Sequence, residues 1–186
     1  MAKESIKDKQ YRERAERMSW ADLAHLWQQI KTGQTVDWDS GKALEHFVIR
    51  AFQLSDLRVE YPYDVPPTGQ RIEQIDGAVY DQSYIFLIEC KDMQTVDIEV
   101  VAKMRNQLMR RPATTFGCIF VAGRFTQPAL MLAGFAIPHR ILLWSEKDIE
   151  TALENQNFKS MLREKYEYLC LFGLSDQINN YREAYI

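Results

Sequence analysis

Residues 84–92 read YIFLIECKD. The apolar run from Tyr84 to Ile88 reads as a strand covered on both faces, because only such a strand dispenses with polar alternation. It ends in an acid and a base two residues apart, Glu89 and Lys91. Side chains alternate along a strand, so Glu89 and Lys91 share one face and Cys90 points to the other. A buried strand that closes on two charges on one face needs partners for them.

The residues on either side supply candidates. RIEQIDGAVY, residues 71–80, reads as a second strand, and Asp81, Gln82 and Ser83 make a short turn into the first, so the two form a hairpin. Folding back at Gln82 brings Asp76 beside Glu89 at one end of the sheet. Two carboxylates on neighbouring strands make a hard oxygen site of the kind that takes Mg2+ or Mn2+. Lys91 lies at its edge, where an ammonium orients a water or stabilises charge on a phosphoryl oxygen. A further acid comes from upstream. Residues 42–53 have helical spacing, with Leu44, Phe47, Val48, Ala51 and Phe52 as an apolar stripe, and Glu45 falls on its margin. An inward acid of this kind needs a partner, as a ligand of the ion or as an acceptor beside one.

Further out, residues 3–32 read as helical with a break at Ser19, which begins an S-x-x-D cap to Asp22, and Gly33 is a stop. Extended chain is expected from Leu57 to Val65, closed by Pro66, Pro67 and Gly69. Asp97 to Arg111 reads as one helix that Pro112 ends. FGCIFVAG is expected as a buried strand, QPALMLAGFA as a helix, RILLWS as a strand, and residues 147–185 as mostly helical with a break at Gly173. This order predicts an α/β protein with a mixed sheet and helices on both faces.

The chain has 186 residues and a net charge of -3. It holds no apolar run of the ~20 residues that a membrane span requires, and MAKESIKDK is no secretory leader, so a cytoplasmic protein without a membrane partner is expected. Cys90, Cys118 and Cys170 are expected as reduced core thiols. From Val101 to Arg140 there is no Asp or Glu, while Lys103, Arg105, Arg110, Arg111, Arg124 and Arg140 all fall there. Such a segment reads either as a solvated face or as a surface for an anionic partner.

The series of a helical acid, an Asp on a strand, E-x-K on the next strand and then a helix resembles the PD-(D/E)xK nuclease superfamily, and within it the Mrr-type branch. GKALEHFVIRAF is similar to that branch's opening helix, QIDGAVY and FLIECK to its catalytic strands, FGCIFVAGRFTQPALMLA to the strand and helix that follow, and RILLWSEKDIE to its closing strand. Ile75 stands where the motif's name puts proline. The resemblance implies a restriction endonuclease-like fold over residues 40–150, with helical extensions at 1–39 and 151–186. It implies an Mg2+- or Mn2+-dependent endonuclease that hydrolyses phosphodiester bonds, in DNA rather than RNA, in restriction or anti-phage defence. Asp76, Glu89 and the carbonyl of Cys90 would hold the metal, with Glu45, Asp76, Glu89 and Lys91 as the catalytic set. Lys103, Arg105, Gln107, Arg110 and Arg111 would contact nucleic acid. The alternatives are a non-catalytic restriction-like subunit for nucleic-acid binding or assembly, and an RNA nuclease. A duplex cut needs two sites, so a homodimer or a larger defence complex is expected. Tyr11, Trp27, Tyr166 and Tyr168 are the aromatics read as available for that contact, or else as cover for the sheet.

Overall fold

A computed structural model describes residues 6–61, 63–65, 73–136 and 140–173. In chain order its elements are α1 (Ile6–Glu16), α2 (Trp20–Lys31), α3 (Lys42–Leu54), β1 (Arg58–Glu60), β2 (Tyr63–Val65), β3 (Glu73–Ile75), β4 (Gly77–Asp81) and β5 (Tyr84–Lys91). There follow β6 (Thr95–Val96), α4 (Ile98–Leu108), β7 (Thr115–Val121), β8 (Arg124–Phe125), α5 (Gln127–Gly134), β9 (Ile141–Trp144), α6 (Glu146–Glu154) and α7 (Phe158–Phe172).

Strand β5 is central in a five-stranded sheet of order β1-β4-β5-β7-β9. It pairs antiparallel with β4 through the hairpin and parallel with β7, and β7 pairs parallel with β9. The parallel steps require crossovers, which α4 and α5 supply. The sheet is therefore mixed and flanked by helices, as the order of elements predicts.

Alternation along the strands divides the core in two. Val79, Phe86, Ile88, Cys90, Phe116, Cys118, Phe120, Leu142 and Trp144 pack on one side with α2, α3, α6 and α7. Ala78, Leu87, Ile119, Val121, Ile141 and Leu143 pack on the other with α4 and α5. The predicted α3 stripe, Leu44, Phe47, Val48, Ala51 and Phe52, is fully buried, each large side chain contributing roughly 1.5–3 kcal/mol. Helix α2 begins with the expected cap: Ser19 Oγ accepts from the Asp22 N–H, and the Asp22 carboxylate accepts from the Ser19 N–H at 2.8 Å.

Several expectations are corrected. RIEQIDGAVY is not one strand, because the chain changes partner at Asp76: β3 pairs with β2 in a separate ribbon, and only β4 joins the main sheet. Residues 66–72, with Pro66, Pro67 and Gly69, lie outside the described residues. The helix expected to reach Arg111 stops at Leu108, where its last apolar anchor is spent, and Arg110 and Arg111 follow in a turn. Tyr11 (6% exposed) and Trp27 (1%) are core residues and offer no open ring for a second copy, while the half-buried Tyr166 packs on Tyr84 and Phe116. Cys90 and Cys118 are buried, whereas Cys170 is exposed on α7, donated to by Arg140 at 2.6 Å. The two-residue strands β6 and β8, which carry no periodic signal, pair parallel beside the C-terminal end of β5.

Gly123 makes that side pairing possible. A Cβ there would meet the Gln94 carbonyl oxygen at 2.2 Å, the same carbonyl that accepts from the Arg124 N–H at 3.1 Å. Gly123→Ala is expected to lower the free energy of unfolding by about 3 kcal/mol, since backbone has to move. Urea denaturation checks this, and a change under about 0.5 kcal/mol would contradict the close approach.

Candidate active site

The C-terminal end of β5 carries the expected acid and base on one face. Lys91 Nζ lies 2.7 Å from Glu89 Oε1, and the Glu89 side chain is 2% exposed. Lys103, from α4, reaches the same oxygen at 2.7 Å. Glu89 Oε2 is buried and meets no hydrogen-bond partner among the described residues. A carboxylate withdrawn from water needs compensation. Here two ammoniums compensate one oxygen and leave the other uncommitted.

Asp76 brackets Glu89 from the neighbouring segment between β3 and β4. Its N–H donates to the Ile88 carbonyl at 3.1 Å, and its Oδ2 accepts the Cys90 N–H at 2.7 Å. Because β4 begins only at Gly77, the aspartate side chain takes the place of backbone as the acceptor for Cys90. Its pKa is raised to about 7, first by burial, then by the charges of Glu45 and Glu89, with the Cys90 N–H and Lys91 acting in the opposite sense. Asp76, Glu89 and Glu45 are thus electrostatically close. The Cys90 thiol is pushed well above its ordinary value by burial and by these carboxylates. It remains protonated, and only the backbone of Cys90 is suited to a hard cation.

Burial opposes the charge on Lys91, but the hydrogen bond and charge of Glu89 outweigh it and leave the pKa above the ordinary lysine value. Lys91 is therefore an ammonium at neutral pH. It can hold an oxygen, not take a proton.

Glu45 comes from the first turn of α3, with Lys42 Nζ at 2.6 Å from its Oε2. Tyr61 Oη donates to the same oxygen at 3.3 Å and lies 3.2 Å from His46 Nε2. With Tyr61 donating to Glu45, His46 is the donor in the second bond. Burial, reinforced by Lys42, lowers the His46 pKa to about 4, so the ring is neutral. Lys42, His46 and Tyr61 were not expected in the site. Lys42 was signalled by its spacing of three from Glu45, while nothing local marked Tyr61.

The basic residues divide. Lys103 belongs to the carboxylate cluster, and Arg105 and Arg110 are exposed. Arg111 donates to the Gln107 carbonyl at 2.5 Å. Gln107 is 3% exposed on the inner face of α4, so it does not present its amide to a surface partner as expected. Among the described residues, no three His, Cys, Asp or Glu side chains are grouped to hold a metal ion. Asp76 and Glu89 with backbone could offer oxygens to a hard cation such as Mg2+, an ion that keeps several of its waters.

No family model matches the sequence, and no curated protein sequence matches it. Among solved structures, a protein of unknown function, AF1548, is similar over 70% of this chain and 77% of its own, at 20% identity and a TM-score of 0.50. The DNA modification-dependent restriction endonuclease AspBHI is similar over 88% of this chain, at 14% identity and a TM-score of 0.47. The MspJI restriction endonuclease, in complex with a 27-mer oligonucleotide, is similar over 98% of this chain, at 15% identity and a TM-score of 0.43. The chain spans 43% of the length of AspBHI and 42% of that of MspJI. No helix among the described residues is long and apolar enough to cross a membrane.

The charge balance sets the pH dependence of stability. The folded-state pKa of Asp76 lies above its ordinary value of 3.8, so the native state binds the extra proton and stability falls as pH rises from about 4 to about 7. Asp76→Asn retains an acceptor for Cys90 without the charge. It is expected to be more stable than the wild type at pH 8, by on the order of 3 kcal/mol, with the advantage lost by pH 4. Urea midpoints at the two pH values check this, and equal effects at both would contradict it.

Proposed function

We propose that the chain is a divalent-metal-dependent nuclease that hydrolyses phosphodiester bonds, with duplex DNA as substrate. The observation that carries the reading is the pair Asp76 and Glu89, bracketed on one hairpin, with the buried Glu89 Oε2 uncommitted and the Lys91 ammonium on the same carboxylate. The resemblance of the residue order to PD-(D/E)xK nucleases supports the same assignment and suggests restriction or anti-phage defence as its setting. Asp76, Glu89 and the Cys90 carbonyl would hold the ion. Bound there, a divalent cation supplies a water of lowered pKa and neutralises charge that develops at phosphorus.

The remaining work falls to this chain's own groups. Lys91, held protonated, fixes an attacking water or a non-bridging phosphate oxygen by a charge-assisted hydrogen bond. Glu45, restrained by Lys42 and Tyr61, faces the site as an acceptor for an ordered water. Arg105, Arg110 and Arg111 hold the phosphate backbone without reading bases, so affinity falls with salt.

Supercoiled plasmid and single-stranded RNA, each incubated with Mg2+ or with chelator, test the reading. The wild type is expected to cut plasmid only with the cation. Asp76→Ala and Glu89→Ala should each lower the rate by at least about 1,000-fold, and Lys91→Met by about 100-fold. Cleavage unchanged in either carboxylate variant would overturn the site. Binding of DNA without cleavage would favour the non-catalytic scaffold, and cleavage of RNA alone would move the substrate class.

A further inference from the structure

Lys91 and Lys103 donate to the same oxygen, Glu89 Oε1, each at 2.7 Å. They are not equivalent. Lys91 is on β5 itself with its side chain 31% exposed, whereas Lys103 reaches across from α4 with its side chain 50% exposed. Its four-carbon stem already lies half in water and turns without disturbing the core. A divalent cation on Glu89 would bring a third positive group to one carboxylate, in surroundings that screen poorly. The repulsion falls on both ammoniums, and Lys103 is the one with freedom to leave.

We propose that Lys103 is a positioning latch: it competes with a divalent cation for Glu89 and, once displaced, engages a backbone phosphate of duplex DNA at the mouth of the site, so that cation and DNA bind cooperatively. The proposal rests on the reading that Asp76 and Glu89 bind a cation. The acid nearest the released ammonium along the chain is Glu99, one turn back on α4 and exposed, where an ion pair is worth little, and from Val101 to Arg140 there is no Asp or Glu. Because coupling between two ligands is reciprocal, the same latch that weakens cation binding in the absence of DNA strengthens it in its presence.

The variants that test this are Lys103→Met, which keeps the stem and removes the charge, and Arg105→Met, which removes an exposed charge of the same helix. Titration calorimetry with Mn2+ measures cation affinity without turnover. Lys103→Met is expected to bind Mn2+ about tenfold more tightly than the wild type, and Arg105→Met within about twofold of it, since exposed charges are screened at physiological salt. Fluorescence anisotropy of a labelled duplex, with and without Ca2+ as a non-turnover cation, measures the coupling. The gain in DNA affinity on adding Ca2+ should shrink at least threefold in Lys103→Met. Wild-type binding of Mn2+ with no tightening in Lys103→Met, or equal tightening in Arg105→Met, overturns the latch and leaves the metal site standing. Mn2+ binding by Lys103→Met alone supports a latch strong enough to mask the site. Absence of Mn2+ binding in all three proteins overturns the metal reading and the latch with it.

Discussion

The organisation of this protein turns on a carboxylate that the fold removes from water. Glu89 stands at the end of the central strand, where Ile88 and Cys90 on either side of it belong to the core beneath α3. A charge so placed costs several kcal/mol unless it is compensated, and two elements compensate it: strand β5 supplies Lys91 and α4 supplies Lys103. The break between β3 and β4 adds Asp76, a second carboxylate that opposes the charge of the first. None of these positions is the cheapest for stability. A neutral residue at 89 would satisfy the sheet, and Oε2 meets no hydrogen-bond partner among the described residues.

The site is nearly self-neutralising. Three carboxylates, Glu45, Asp76 and Glu89, face three ammoniums, Lys42, Lys91 and Lys103, and each lysine is hydrogen-bonded to a glutamate. Among the described residues Asp76 accepts from the Cys90 N–H and has no bonded lysine, and burial and its two acidic neighbours raise its pKa. Asp76 is therefore a carboxylate held partly protonated near neutral pH.

Much of this was legible in the residues. The buried character of β5, the shared face of Glu89 and Lys91, the hairpin turn after Asp81 and the inward stripe of α3 all follow from local periodicity, which reports burial directly. What sequence missed depends on partners distant in the chain. Asp76 ends one pairing and begins another, a change invisible in RIEQIDGAVY because both halves have strand-like composition. The run from Asp97 to Arg111 looks continuous because arginines are good helix formers, yet the helix stops where its last core contact, Leu108, is made. Tyr11 and Trp27 looked exposed, but each lies on the inward face of its helix, with Ala15 in α1 and with Leu23, Leu26 and Ile30 in α2. Lys103 looked like one more basic residue for a phosphate surface, and only the packing of α4 beside β5 shows that it reaches Glu89.

The claim on which the account stands is that Asp76 and Glu89 together bind a divalent cation. Anomalous scattering from a crystal equilibrated with millimolar Mn2+ tests it without reference to any substrate. One strong peak is expected about 2.1 Å from Glu89 Oε2 and from an Asp76 oxygen, with Lys103 withdrawn from Glu89. Full occupancy of Glu89 by the two lysines, with no peak beside either carboxylate, would contradict it.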